Sequence, residues 1–398
     1  MSLTGTLALS DAQEILWDVV VIGAGVAGSV AARQAALAGH RVLLVDKRHF
    51  PRRKVCGACL NDVALNVLSQ VGLSDEIEVL NGPQLSRFTL HCGLRSITVP
   101  LPGGRAISRE GLDVALIRAA IAMRVEFLPD VVARVGQINT ESRIVRLQQG
   151  GQETCLNARA IVIASGLDGL GLLNSEEWET RVAPSSRVGA GCVIDDISDD
   201  YRAGTIWMAV GVGGYAGLVR VEGGRINIAG AFDRDYLRRQ GSPALATQSL
   251  LEKAGFSVPR QLLSADWQGT VPLTRTTTPV ASHRVFLIGD AAGYVEPFTG
   301  EGMAWGLLTA QHVTCFVGQA VSVREWSPAI ANGWKAEYRR LMQSRQRFCR
   351  IWARLLRSPS MVSLTLSALA SWPWLARRII ERVNSHSELE RLAYECRS

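Results

Sequence analysis

Apolar residues in this chain cluster in short runs of two kinds, and the difference between them outlines the fold. Trp17 to Ile22, Arg41 to Val45, Ile161 to Gly166 and Arg284 to Gly289 are dense in Val, Ile and Leu. Strands buried on both faces of a parallel sheet read this way. Between the third and fourth runs the character changes: Arg187 to Ile194, Gly204 to Val210, Gly214 to Val221 and Arg225 to Phe232 are rich in glycine and β-branched residues. These predict consecutive strands of an antiparallel sheet built as hairpins, to which Arg87 to Val99 adds a further pair. Ser29 to Ala38 is an alanine-rich helix ended by Gly39, a second helix is expected over Gly302 to Val317, and from Trp334 onward the chain reads as helical and basic.

Two glycine-rich segments sit at the ends of these runs. Gly23-Ala-Gly25-Val-Ala-Gly28 joins the first strand to the first helix. Gly23 permits the tight turn, Gly25 lets the backbone approach a pyrophosphate, and Gly28 lets helix and strand pack closely, leaving a phosphate at the helix N-terminus. Asp46 follows the second strand, where a carboxylate accepts hydrogen bonds from an adenosine ribose, with Lys47 beside it. The second segment, Gly289-Asp290 followed by Pro297, Gly300, Glu301 and Gly302, lies 266 residues after Gly23. The pairing points to FAD. Asp290 is a candidate cofactor ligand or, alternatively, a helix N-cap. Exposed amides of Gly300 to Gly302 at a helix start would stabilise negative charge on a reduced ring.

The expected fold is therefore α/β with an α+β part: a discontinuous Rossmann-like FAD-binding domain (14–80, 101–185, 274–320), an inserted antiparallel-sheet substrate domain (81–100, 186–273) and a C-terminal helical region (321–398). At 398 residues and 47% hydrophobic the chain can bury a large core. Its start lacks a basic segment followed by an apolar run, and Ser358 to Ala376 is interrupted by serines and two prolines. Neither a secretory signal nor a membrane span is expected, and the cytoplasm is the expected address. Eight scattered cysteines lack zinc spacing and read as reduced thiols, so no metal is expected. The net charge of +7 is concentrated late, with ten Lys or Arg against one acid, Glu337, from 335 to 378. That location argues against nucleic-acid binding and for either a helical lid or peripheral contact with an anionic membrane, interleaved as the charges are with Phe348, Trp352, Trp372 and Trp374.

Four pieces in order, the glycine turn, Arg109 within Ile-Ser-Arg-Glu-Gly-Leu-Asp, the strand end Ala164-Ser165-Gly166 and Gly289-Asp290 with its glycines, resemble the flavoprotein family of para-hydroxybenzoate hydroxylase, geranylgeranyl reductases and flavin-dependent halogenases. The resemblance covers roughly residues 15–320. It implies FAD, with Arg109 near the phosphates or ribityl chain and Asp290 on the ribityl hydroxyls. It also implies NADPH or NADH as electron donor, although the family's Asp-Gly motif is Ser165-Gly166 here, with Asp168-Gly169 just after it. Phe50-Pro-Arg-Arg-Lys-Val-Cys56-Gly-Ala-Cys59 is similar to the flavin-lining segment of geranylgeranyl reductases, whereas the aromatic pattern of their substrate strand is missing around Tyr215. The halogenase Trp-x-Trp-x-Ile-Pro signature is absent as well. The expected activity is therefore a monooxygenase that uses molecular oxygen, through a flavin hydroperoxide, to hydroxylate a hydrophobic, phenolic small molecule. His91 or Tyr215 would be the base that deprotonates the phenol. The alternatives are reduction of isoprenoid double bonds with Cys56 or Tyr215 as proton donor, halogenation, or a non-catalytic FAD-bound module. Cys56 and Cys59 are either a redox pair or packed small residues.

Overall fold

The structure is a computed structural model that describes residues 2–169, 176–196, 198–296, 298 and 300–372. Expectations resting on Pro297 and on residues 373–398, Trp374 among them, lie outside the described residues.

Strand Leu16–Ile22 is the centre of the first sheet. It pairs in parallel with Val42–Val45 on one side and with the long strand Gln152–Ile163 on the other. Glu126–Leu128 and Val285–Leu287 extend the parallel set outward. Trp17, Val19, Val20 and Val21 are fully buried, because helices cover one face of this sheet and a strand layer the other, which is why these strands read as apolar runs. Register makes the site: Ile22 stands opposite Val45 and Ile163, Val45 opposite Leu128, and Ile163 opposite Leu287. The strands thus end level, and the segments after Ile22, Val45, Ile163 and Leu287 emerge together at one edge. In open α/β sheets ligands bind in the crevice at that carboxyl edge.

Helix Val26–Leu37 packs on helix Gly302–Ser322 above this sheet. Arg284, fully buried, locks the far end of the second helix. Its guanidinium donates to the carbonyls of Ala320 at 2.7 Å and Val323 at 3.0 Å, and also to Arg159 and Arg324. A positive charge among the last carbonyls of a helix is placed where the helix dipole favours it.

The second sheet runs in the order Gln268–Pro272, Val188–Ile194, Ile226–Phe232, Gly214–Arg220, Thr205–Gly211, Arg87–Cys92, Arg95–Pro100. All four expected strands are present and the Arg87 hairpin joins them. Two joints depart from the hairpin expectation: Val188–Ile194 pairs with Ile226–Phe232 rather than with the next strand in sequence, and Thr205–Gly211 pairs in parallel with Arg87–Cys92. The latter two strands are separated by more than a hundred residues, so no tight turn dictates their direction. The outer hairpin Val132–Ile138/Arg143–Gln149 and the helices Arg234–Gln240 and Pro243–Lys253 were not anticipated from sequence.

The C-terminal region begins with helix Pro328–Leu355, anchored by the fully buried Trp334, whose indole N–H donates to Leu287 O at 3.2 Å. Helix Pro359–Ser371, capped by Ser358, then lies against the second sheet, with Val362 and Leu366 packed among Leu90, Cys92 and Met208. No helix among the described residues is long and apolar enough to cross a membrane.

Candidate functional site

A single cavity of about 1090 Å³ runs from the carboxyl edge of the parallel sheet to the face of the second sheet. It exceeds the roughly 300–1,000 Å³ usual for one small molecule, which leaves space for a cofactor and a substrate together.

At the parallel-sheet end the glycine turn is as tight as its sequence demands. Gly23 takes a φ of +109°, and a Cβ there would meet Ala164 O at 2.4 Å; a Cβ on Gly28 would stand 1.7 Å from Gly23 O. No side chain caps helix Val26–Leu37, so its first amides are free for an anion. Two guanidinium groups flank them, Arg109 and Arg52, lying 3.4 and 3.5 Å from where a side chain on Gly25 would begin. Arg109 is buried and aimed by Asp113, which accepts from its Nε and Nη2 at 2.9 Å each; Arg52 reaches the same carboxylate at 3.4 Å. The composite is a cationic cradle around uncapped amides, suited to a pyrophosphate. Arg109→Ala would leave the fully buried Asp113 with only the longer contact to Arg52. We expect a loss of about 3 kcal/mol in urea unfolding and flavin-free protein. Restoration of stability without flavin in Arg109→Ala/Asp113→Asn would separate the two effects.

Asp46 receives Ala24 N–H at 2.7 Å and Arg48 N–H at 2.9 Å, so it fixes the turn while its remaining lone pairs face the cavity. Lys47 pairs with Asp168. Burial works to raise the Asp168 carboxyl, but the hydrogen bond and charge of Lys47 outweigh it and hold it below its ordinary value. Asp168 thus stands beside Ser165 and Gly166 at the cavity edge, one turn after the strand end. The Ser165 hydroxyl is buried without a partner, a donor waiting for a ligand.

Asp290 sits in the turn Gly289–Ala291, twelve residues before helix Gly302–Ser322 begins, so it caps neither end of that helix. Its carboxylate faces Lys54 Nζ at 3.6 Å. Burial, then the charge of Arg109, lowers the Lys54 ammonium from its ordinary value. Gly300 and Gly302 line the cavity, but Glu301 turns away from it, accepting from Cys349 Sγ at 3.2 Å and facing Arg345 at 3.6 Å.

The other end of the cavity is apolar. Phe88, Leu90, Ile97 and Met208 form the sheet wall, and Trp352, Leu355, Val362 and Leu366 of the C-terminal helices close it. Tyr215 lines this chamber, edge-on to Phe298 with ring centroids 5.2 Å apart, and Arg187 lies over its ring. Behind it is a buried ion pair, Arg187 Nη1 to Glu296 Oε1 at 3.1 Å, each residue 1% exposed. Burial and the charge of Glu296 push the Tyr215 phenol well above its ordinary value, and burial with Asp290 does the same for Tyr294. Both phenols stay protonated.

The structure does not bring His91 to this cavity. Strand residues alternate faces: Phe88 and Leu90 line the chamber, while the His91 ring lies 2.9 Å through Nδ1 from Ala254 O and 4.2 Å from Phe256 on the far side. Cys56 and Cys59 both line the cavity as free thiols. Burial, then the neighbouring Cys56, raises Cys59 above its ordinary value, and its thiol donates to Gly57 O, so it remains a packed thiol. Sequence reasoning missed Arg52, Lys54, Tyr294 and the Arg187–Glu296 pair as site residues. The first two carried a signal, since they lie in the Arg-Arg-Lys run before Cys56.

Known proteins agree with this geometry. Residues 17–169 match the FAD binding domain family model. The chain is 30% identical over 341 residues to menaquinone reductase of Mycobacterium tuberculosis, covering 79% of this chain and 80% of that protein. It is also 28% identical over 317 residues to squalene monooxygenase of Rattus norvegicus, covering 73% and 52%. Among solved structures, the flavin-dependent brominase Bmp2 superposes with a TM-score of 0.75 at 16% identity, over 93% of this chain and 94% of that one, which shows a shared fold. Glycine turn, cationic cradle and level strand ends all suit FAD, and with the family match the chain belongs to the superfamily of FAD-dependent oxidoreductases that includes para-hydroxybenzoate hydroxylase, geranylgeranyl reductases and flavin-dependent halogenases.

Proposed function

We propose that this flavoenzyme is a reductase that saturates a carbon–carbon double bond in the tail of a polyprenyl lipid, with NADPH or NADH as electron source. The observation that carries the reading is geometric: the Tyr215 phenol stands on the wall of an apolar chamber that is continuous with the cofactor end of the same cavity. Among the described residues no histidine lines the cavity, and its acidic side chains, Asp46, Asp168 and Asp290, belong to the cofactor end rather than to the apolar chamber. A phenol hydroxylase gains from a base that removes the substrate's proton; alkene reduction needs an acid that supplies one. This preference departs from the hydroxylation expected on sequence grounds and follows the alternative carried by the Phe50 to Cys59 segment.

Bound FAD, once reduced, supplies a hydride equivalent. Arg52, Arg109 and the amides of helix Val26–Leu37 would hold its phosphates, Asp46 and Asp290 its hydroxyls, and Ser165 a polar edge. The apolar walls orient an isoprenoid tail and exclude water, which keeps a reactive equivalent from being lost to solvent. The Tyr215 hydroxyl would give its proton to the alkene carbon next to the one that is reduced. Arg187, over the ring, would offset part of the negative charge left on the phenol oxygen against that of Glu296, until a proton returns from solvent. The likeness to menaquinone reductase supports a prenylated lipid as substrate.

A second reading, oxygen insertion into a lipid-like substrate, is favoured by the likeness to squalene monooxygenase and uses the same chamber. Mass analysis of products from geranylgeranyl lipids and menaquinones, incubated anaerobically with NADPH or NADH, separates the two. We expect products two hydrogens heavier. Products one oxygen heavier, formed solely in air, would reject the reductase.

A further inference from the structure

The two C-terminal helices that close the chamber have outward faces of a different kind. On helix Pro359–Ser371, Val362 and Leu366 point into the chamber, whereas Met361 and Leu364, on the opposite stripe, are exposed, Leu364 by 64%. Trp372, just past the helix, is 56% exposed. Helix Pro328–Leu355 repeats the arrangement: Leu355 lines the chamber while Ile351, 61% exposed, lies outside between Arg347 and Arg354, both exposed and spaced to share its stripe. A third element joins them. The tip of the hairpin Arg87–Cys92/Arg95–Pro100 carries the fully exposed Leu94, and Arg95 Nη1 donates to Ser363 O at 3.3 Å, which places this tip beside the lid.

Charge indicates what covers this surface. From Tyr338 to Trp372 there are seven arginines and no acid. Arg340, Arg345 and Arg357 pair with Glu337, Glu301 and Asp233, but Arg347, Arg354 and Arg95 ring the exposed apolar side chains. Apolar side chains and a tryptophan surrounded by arginines match an interface of acyl chains beneath anionic headgroups. We propose that Leu94, Ile351, Met361, Leu364 and Trp372, with Arg95, Arg347 and Arg354, form a docking surface for an anionic lipid bilayer, so that the lid separates the membrane from the chamber. The surface deepens the lipid-substrate reading by giving the substrate a source. Its test reads binding and not turnover, so either idea can fail alone.

The experiment is sedimentation of the full chain with vesicles of phosphatidylcholine alone or mixed with phosphatidylglycerol. The wild type is expected to sediment with the anionic vesicles and far less with the neutral ones, and salt should release it. Leu94→Glu/Leu364→Glu and Arg347→Glu/Arg354→Glu should each reduce the partition coefficient by roughly tenfold or more. Both changes lie on exposed side chains, and equal flavin content and equal melting temperature confirm that each variant is folded. Equal binding to both vesicle types, absence of binding, or wild-type partition by both variants would overturn the proposal. So would a vesicle-free dimer that Leu364→Glu splits, because the face would then belong to a second copy of the chain.

Discussion

Gly28→Ala is expected to yield protein without flavin and to cost about 3 kcal/mol of stability in urea unfolding. The added methyl would stand 1.7 Å from the carbonyl oxygen of Gly23 and 3.1 Å from the Ala164 side chain, so the first turn of helix Val26–Leu37 has to move away from the strand. That movement tears open the amide cradle that Arg109 and Arg52 flank. Gly57→Ala makes the contrast. Gly57 lines the same cavity, yet nothing lies within 4 Å of its Cβ position and its φ is not in the left-handed region. It should keep its flavin and stay within about 0.5 kcal/mol of the wild type. Equal flavin content in the two variants would remove the assigned phosphate site.

The second large effect is at Tyr215. Tyr215→Phe keeps the ring that packs on Phe298 and removes only the hydroxyl. Flavin content should be unchanged and turnover should fall by about 10²- to 10³-fold, the usual worth of a positioned general acid. Tyr294→Phe should cost less than about tenfold, because Tyr294 stands toward Asp290 at the cofactor end and away from the apolar wall. Full activity in Tyr215→Phe would move the proton source elsewhere, with Cys56 the next side chain to test.

Much of the cofactor end could be read from sequence because its signals are local. A strand buried on both faces is an apolar run, and a glycine turn between that strand and a helix has few other meanings, so Gly23, Gly25, Gly28 and Asp46 meet at one edge as expected. The substrate end rests on contacts that sequence order hides. Arg187 and Glu296 are 109 residues apart, and nothing near either announces the other. His91 and Leu90 are neighbours whose roles differ by one step of strand parity, and parity is set by pairing with Thr205–Gly211, across a long connection. The hairpin Val132–Ile138/Arg143–Gln149 mixes charged and apolar positions at the edge of the first sheet, and its pattern is too weak to stand out.

The central claim is that a hydride equivalent passes from reduced flavin in this site to an isoprenoid double bond. Its most direct measurement is anaerobic. The protein is reduced to one equivalent, mixed with a polyprenyl lipid, and the oxidised-flavin spectrum is followed while the lipid is weighed by mass spectrometry. The account predicts return of oxidised flavin without oxygen, one lipid gaining two hydrogens for each flavin. A flavin that stays reduced until air is admitted, with oxygen then appearing in the lipid, would contradict it.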